Sequence, residues 1–461
     1  MRQLLFMIVM TLAGTVGVYL VNPFWGVAVY YLFAVLRPQY MWEWSLPKDV
    51  SWSFYVAVAT IGAALASAFG VRFGPAAEAS EGHSAPRLSL AHYAVLLFGL
   101  WIGVTYVTAQ SQNAAYMWLI EYIKIFIMFA VAAVLTRTVR QVWSLFLLTA
   151  LALAYISYEV NYLYFVSNYL GIYKNGYGGL DNNGAALMLA MGVPLCWFIY
   201  EAMTTWWRWV FVALIPVIIH AVLMTYSRGA MVSLLGLGPL LVVRSRQRVR
   251  LGIAGTILAV SVVPILAGSE IRARFLTLEN TEVDDSANSR RESWKAALKI
   301  AVNYPVFGVG IRNANLFSHQ YGADMEGRTI HSNYLQIAAD NGFPGLALFL
   351  TALAACWFSL RRVRRFAARR NDLEGRRIYS IACGVECSML VFCIGSVFLS
   401  LEVVELPYLL LFLAAQLAVV SGAADKRLAS DHSVSAPSAG RRPFIPEQVG
   451  SSYEHAEYAR Y

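Results

Sequence analysis

The sequence predicts an all-α polytopic membrane protein, with about 12 transmembrane helices and a large, partly helical periplasmic loop between spans 9 and 10. Three observations carry that prediction. Of 461 residues, 58% are hydrophobic and 14% are charged. Continuous apolar runs recur from end to end, each about the twenty residues a helix needs to cross a hydrocarbon core roughly 30 Å thick. Arginine runs sit beside these segments, as cytoplasmic loops require. A β-barrel would alternate polar and apolar residues over segments of roughly ten, and is excluded.

Apolar runs and their flanks place the spans near residues 4–36 (broken at Asn22-Pro23), 52–71, 90–108, 115–135, 142–158, 182–202, 207–226, 229–243, 251–268, 342–360, 378–399 and 405–421. Met1-Arg2 ahead of the apolar run from Leu4 to Val21 lacks a small-residue cleavage site, and a second apolar segment follows, so the run reads as a retained span. The net charge of +9 is concentrated in Arg244, Arg246, Arg248 and Arg250, and in the run from Arg361 to Arg377. Fixing both on the cytoplasmic side, and counting 4–36 as one broken crossing, leaves 37–51, 109–114, 159–181 and 269–341 outside. The charge therefore implies membrane topology and no nucleic acid. Cys196, Cys356, Cys383, Cys387 and Cys393 all lie in apolar runs, where a small polarizable side chain is tolerated, and imply neither disulfides nor a zinc site.

Four segments follow: N-terminal membrane helices (1–268), the large periplasmic loop with the candidate site (269–341), C-terminal membrane helices (342–421) and a tail rich in Ser, Ala, Pro and charge, expected to be disordered and cytoplasmic (422–461). The stretch 72–89 reads as a cytoplasmic linker.

Arg228 stands in Tyr226-Ser227-Arg228-Gly229, where one span ends at the outer face and the next begins. Unpaired N–H groups and a guanidinium together make an anion site at headgroup depth; an arginine snorkelling to lipid phosphates is the alternative. Ser289 and Glu292 form a Ser-x-x-Glu capping box ahead of Trp294, placing Arg290 in the first turn of a helix ended by Pro305. A cation there opposes the helix dipole, which suggests an anionic partner; Arg291 could play the same part, and either could be a solvated loop residue. His331 precedes a short helix, Ser332 to about Ala339, that stops at Asn341-Gly342 before Phe343-Pro344-Gly345 opens the next span. With an ordinary pKa of roughly 6.5, a histidine held at the membrane surface suits general-base work, and a structural role is the alternative. His319 and His220 are weaker candidates, His220 reading as a hydrogen-bonded packing residue. Glu121 and Lys124, at i and i+3, can pair on one helix face. Tyr162, Tyr164, Phe165, Tyr169, Tyr173 and Tyr177 could stack sugars or form an interfacial belt. Asp284-Asp285 reads as a solvated acidic turn, not a metal site.

The ordered set Ser227-Arg228-Gly229, Ser289-Arg290 with Trp294, Asn303-Tyr304-Pro305-Val306-Phe307-Gly308-Val309-Gly310, His331-Ser332-Asn333-Tyr334-Leu335 and Asn341-Gly342-Phe343-Pro344-Gly345-Leu346 resembles the O-antigen ligase and polymerase superfamily. The motifs span about residues 180–360. Asn22-Pro23-Phe24 to Arg37-Pro38 also resembles the polysaccharide or O-glycosylation ligases of that group. The resemblance, closest to an O-antigen ligase, implies a glycosyltransferase of the bacterial inner membrane with its active site facing the periplasm. Its donor is a glycan on undecaprenyl diphosphate and its acceptor a hydroxyl of lipid A-core, completing lipopolysaccharide with no metal or other cofactor. It implies that Arg228 and Arg290 hold the donor diphosphate and that His331 is the general base, with Arg291 and Arg312 as secondary candidates for diphosphate or acceptor contacts. In-line attack would invert the anomeric centre. Asp340, directly before Asn341-Gly342, departs from the usual pattern and receives no role. A polymerase or protein O-glycosylation ligase would share the architecture and differ in acceptor. A lipid-linked glycan flippase or transporter is the reading from another class, disfavoured because the sequence has no internal repeat and its unusual polar residues gather at one face.

Overall fold

The computed structural model describes residues 2–47, 50–71, 73, 88–257, 285–323, 327 and 329–434. Regular structure among them is helical, apart from one isolated bridge between Tyr177 and Leu180. Among the described residues, eight helical segments are long and apolar enough to cross a membrane, and Trp52–Ala68 and Arg208–Leu223 are shorter apolar helices. The chain is a multi-pass membrane protein.

The first apolar stretch corrects the single broken crossing expected of it. It forms two helices, α1 (Arg2–Leu20) and α2 (Phe24–Leu36), that pack antiparallel: Gly14 faces Val29, Gly17 faces Trp25 and Gly26 faces Val18, while Trp25 Nε1 donates to the Ala13 carbonyl at 3.1 Å. The reversal lies at Asn22-Pro23, where Asn22 Oδ1 accepts from the Phe24 N–H at 2.8 Å and proline supplies no N–H of its own. Small residues let the two backbones approach. Parity arguments that assume one crossing lose their premise, and sidedness has to be read from helix ends.

Beyond the hairpin come α3 (Pro38–Met41), α4 (Trp52–Ala68), α5 (Leu90–Val107), α6 (Gln112–Leu135), α7 (Val139–Ser167) and α8 (Gly171–Asn175). At the centre lie α9 (Asn182–Ala190) and α10 (Gly192–Ala202), which together form a span buried along its whole length. Its sequence is apolar on every face, as a helix enclosed by other helices requires. Gly192 meets Leu153 and Ile218, and Phe198 and Phe146 close on Gly384. Ser388 Oγ donates to the Met191 carbonyl at 2.8 Å, where α9 and α10 join.

The chain continues through α11 (Arg208–Leu223), α12 (Arg228–Arg244) and α13 (Arg248–Ile257), the described part of the span expected near 251–268. The expected periplasmic loop is described from residue 285 onward. It contains α14 (Asp285–Asn303) and α15 (Asn313–Phe317), with a small core of Ala297, Ile300, Val309, Ala314, Ile330 and Ala339. Then follow α16 (Asn333–Ala367), α17 (Leu373–Gly395) and α18 (Glu405–Val434). Residues 422–461 form a unit of their own, whose described part, as far as Val434, is helical. Ala423-Ala424-Asp425-Lys426-Arg427-Leu428-Ala429 are tolerant or strong helix formers, and no proline intervenes before Pro437. The acidic residue Asp284, most of the linker 72–89 and the tail beyond Val434 lie outside the described residues.

Both arginine runs meet at one end of the helices. Glu386, fully buried on α17, accepts from Arg244 Nε at 2.8 Å and Nη2 at 3.0 Å, and Arg364 Nε lies 3.2 Å away. Arg228 and Arg244 are the two ends of α12, which at about 1.5 Å per residue separates them by roughly 24 Å. His331, just ahead of α16, is likewise at the opposite end of that helix from Arg361–Arg365. The candidate site and the basic loops therefore occupy opposite ends of the bundle.

Candidate active site

Arg228 is the first residue of α12, as its sequence context predicts. Ser227 caps the helix, its Oγ accepting from the Ala230 N–H, and Tyr226 before it adopts φ +56°. Asn182 Nδ2 donates to the Thr225 carbonyl at 2.9 Å, fixing this turn to the buried central span. Arg228 is partly buried, and its neighbour Gly229 packs against Phe398.

Arg290 requires a correction. It lies inside α14, which runs from Asp285, and Ser293 Oγ donates to the Ser289 carbonyl at 2.8 Å as it would in mid-helix. Ser289 is therefore not the cap. Asp285-Ser286-Ala287-Asn288 contains no glycine or proline to stop the helix from extending upstream, and every added turn satisfies backbone groups. The helix-terminal field fades within about one turn, so the charge at position 290 owes little to it. Arg290 is partly buried and Arg291 is exposed.

His331 adopts φ +55°, a left-handed conformation uncommon outside glycine, immediately before Ser332 at the N-terminal boundary of α16. Trp294, one turn beyond Arg290, donates its indole N–H to the His331 carbonyl at 3.3 Å. The Trp294 ring lies 6.2 Å from that of Phe398, the residue against Gly229. Two aromatic side chains thus join the segment of Arg228, the helix of Arg290 and the backbone of His331. Strained non-glycine residues at Tyr226 and His331 are kept only where surrounding contacts over-determine them.

Arg312 takes a different setting. Its guanidinium lies 4.8 Å over the Trp118 ring and 3.4 Å from Glu402 Oε1, and it lines a cavity of about 370 Å³. Burial pushes the Glu402 carboxyl above the usual carboxylate range, with Arg312 pulling the other way. Glu121 and Lys124 form the expected pair at 2.7 Å. His220 Nδ1 bonds Asn161 Oδ1 and its ring stacks on Phe165, the packing role its position suggests; His319 is exposed.

Residues 213–350, which hold these turns, match the family model described as O-antigen ligase. This segment is an O-antigen ligase family domain. Among curated proteins, no match to the chain is found.

Within the O-antigen ligase domain, Asp340 is the structural residue that sequence reasoning left without a role. Its buried carboxylate accepts from the Arg312 N–H at 2.9 Å, the Ala314 N–H at 2.8 Å and Gln336 Nε2 at 2.7 Å. Main-chain bonds complete the clamp: Val309 N–H to the Ala339 carbonyl at 3.0 Å, Gly310 N–H to the Asp340 carbonyl at 2.9 Å and Phe343 N–H to the Pro305 carbonyl at 2.8 Å. This approach of backbone to backbone explains two glycines. A Cβ at Gly308 would overlap the Asp340 carbonyl, and one at Gly342 would overlap that of Val306, while both residues have φ near +70°. Trp101 Nε1 donates to the Asn341 carbonyl at 2.9 Å, and Thr105 Oγ1 to Asn341 Oδ1 at 2.7 Å. The helix break expected at Asn341-Gly342 is present, at Gly342 with φ +71°, and is held from three sides.

Replacing Asp340 with alanine leaves two backbone N–H groups and an amide without their acceptor, at about 1–3 kcal/mol for each buried donor. Thermal unfolding of the detergent-purified protein is expected to shift well below that of wild type for Asp340→Ala, and less for Asp340→Asn, which keeps an acceptor oxygen. An unchanged midpoint in the alanine variant would remove the clamp from the account.

Proposed function

We propose that the protein transfers a glycan from undecaprenyl diphosphate to a sugar hydroxyl of lipid A-core at the periplasmic face of the bacterial inner membrane, with inversion and without a metal. The observation that carries this reading is the linkage through Trp294 and Phe398, which gathers the segments of Arg228, Arg290 and His331 at the end of the bundle opposite the basic loops. The positive-inside rule makes that end extracytoplasmic. The O-antigen ligase family match over the same residues supports lipid-linked glycan as the substrate class.

In this reading His331 takes the proton of the acceptor hydroxyl. The oxygen attacks the anomeric carbon from the face opposite the diphosphate, a new glycosidic C–O bond forms, and the bond to the diphosphate breaks with its electron pair on the leaving oxygen. Arg228 at the start of α12, together with the backbone N–H groups of that first turn, offsets the growing negative charge; Arg290 adds a second guanidinium. Charge stabilisation of this kind is the role metals fill in many sugar transferases.

The test uses purified protein, a lipid-diphosphate-linked glycan and lipid A-core, with EDTA present. Transfer at the same rate with and without chelator is expected; loss on chelation would overturn the metal-free mechanism. Elongation of the glycan when lipid A-core is omitted would identify a polymerase instead.

A further inference from the structure

We propose that the cavity bounded by α2, α6, the segment between α8 and α9, and the loop between α17 and α18 is a saccharide subsite. It rests on the glycan-transfer reading, which it extends by locating where a sugar of one substrate is held. At about 370 Å³ it is within the range of sites that enclose small ligands. It belongs to the same end of the bundle as His331: Ser400 lines it, and the neighbouring Leu401 N–H donates to Asn333 Oδ1 at the start of α16.

Its walls carry opposed charges in pairs. Arg37 lies 2.9 Å from Glu405, and Lys124 lies 2.7 Å from Glu121. The third cation, Arg312, is matched by Glu402 behind the wall. Each lining cation already has a carboxylate partner, so a diphosphate entering this space would have to displace those carboxylates, and an acyl chain would have to cover charged groups without replacing their hydrogen bonds. An uncharged polyol, by contrast, presents both donors and acceptors, and carboxylate and guanidinium groups can serve each kind. Tyr40, about half exposed, supplies a ring face for the apolar side of a sugar.

The cavity is also built rather than incidental. Arg37 adopts φ +45° and Arg312 φ +58°, two of the non-glycine left-handed residues among those described. Arg37 is further held by the Gly178 carbonyl, and a Cβ at Gly178 would press on its side chain. The Tyr177 hydroxyl donates to the Leu36 carbonyl, tying the aromatic stretch 159–181 to this wall. Strain of this kind at a concave polar site is the pattern of a ligand clamp.

The experiment compares wild type, Tyr40→Ala, Tyr40→Phe and Glu121→Gln. In transfer assays the alanine and glutamine variants are expected to raise KM for one substrate about tenfold with kcat retained, and Tyr40→Phe to restore it because the ring face remains. A rise confined to lipid A-core assigns the subsite to the acceptor, and a rise confined to the lipid-linked glycan assigns it to the donor; either supports the proposal. Calorimetry on His331→Ala protein, with core oligosaccharide freed of lipid A and with glycan freed of its diphosphate, measures the same subsite without turnover. Binding weakened by Tyr40→Ala supports the subsite even if wild type transfers nothing, which would count against the glycan-transfer reading alone. Unchanged KM for both substrates and equal binding by all variants would overturn the proposal.

Discussion

His331→Ala is expected to lower kcat for glycan transfer by about 10²- to 10⁴-fold, the range for removing a general base. The protein is expected to remain inserted, with a thermal midpoint close to wild type. The backbone at this position limits the interpretation of alanine alone. At φ +55°, alanine carries a steric cost of roughly 1–2 kcal/mol, whereas asparagine tolerates the left-handed region. His331→Asn therefore removes the imidazole and keeps the turn. Loss of transfer in both variants is the expected result. Activity retained by His331→Asn would mean that the turn matters and the base does not, and would sink the mechanism. Trp294→Phe separates the two further, because it removes the indole N–H that bonds the His331 carbonyl but leaves an aromatic ring near Phe398.

Arg228→Ala is expected to lower kcat by about 10²- to 10³-fold, the effect of deleting one donor aimed at developing charge. Arg228→Lys is expected to recover part of the loss, since a lysine keeps the charge but not the fork that grips two phosphate oxygens. The position at the first residue of α12 makes this effect larger than that of Arg290→Ala, because Arg290 lies inside α14 and lacks the support of a helix terminus. Single-turnover rates with a lipid-diphosphate donor measure the ranking directly. Equal or reversed effects would show that the helix start contributes nothing to the site.

Several features of the site were readable in the sequence because they are local. The start of α12 at Arg228 follows from a serine cap between two apolar runs, and the break at Gly342 from Asn341-Gly342 ahead of a proline. The pairing of Glu121 with Lys124 follows from helical spacing. Errors arose where local signals were degenerate. Ser289 and Asp285 both suit a helix start, and a capping motif cannot say which one the chain uses; the backbone extends upstream because nothing prevents it. Asn22-Pro23 is as compatible with a kink as with a reversal, and what selects the reversal is the fit of Gly14, Gly17 and Gly26 against side chains on the facing helix.

The sequence by itself determined that this is a helical membrane protein, where its principal spans lie and where its arginine runs flank them. Those properties depend on hydropathy and charge summed along the chain, and such sums need no partner. Tertiary structure alone decided that Asp340 clamps the Gly308–Ala314 turn and that Trp294 and Phe398 bridge three distant segments. It also decided that Arg312 faces Trp118 and a charged cavity. Each of these is a contact between residues tens to hundreds of positions apart, set by how helices pack, and no periodicity along the chain encodes it.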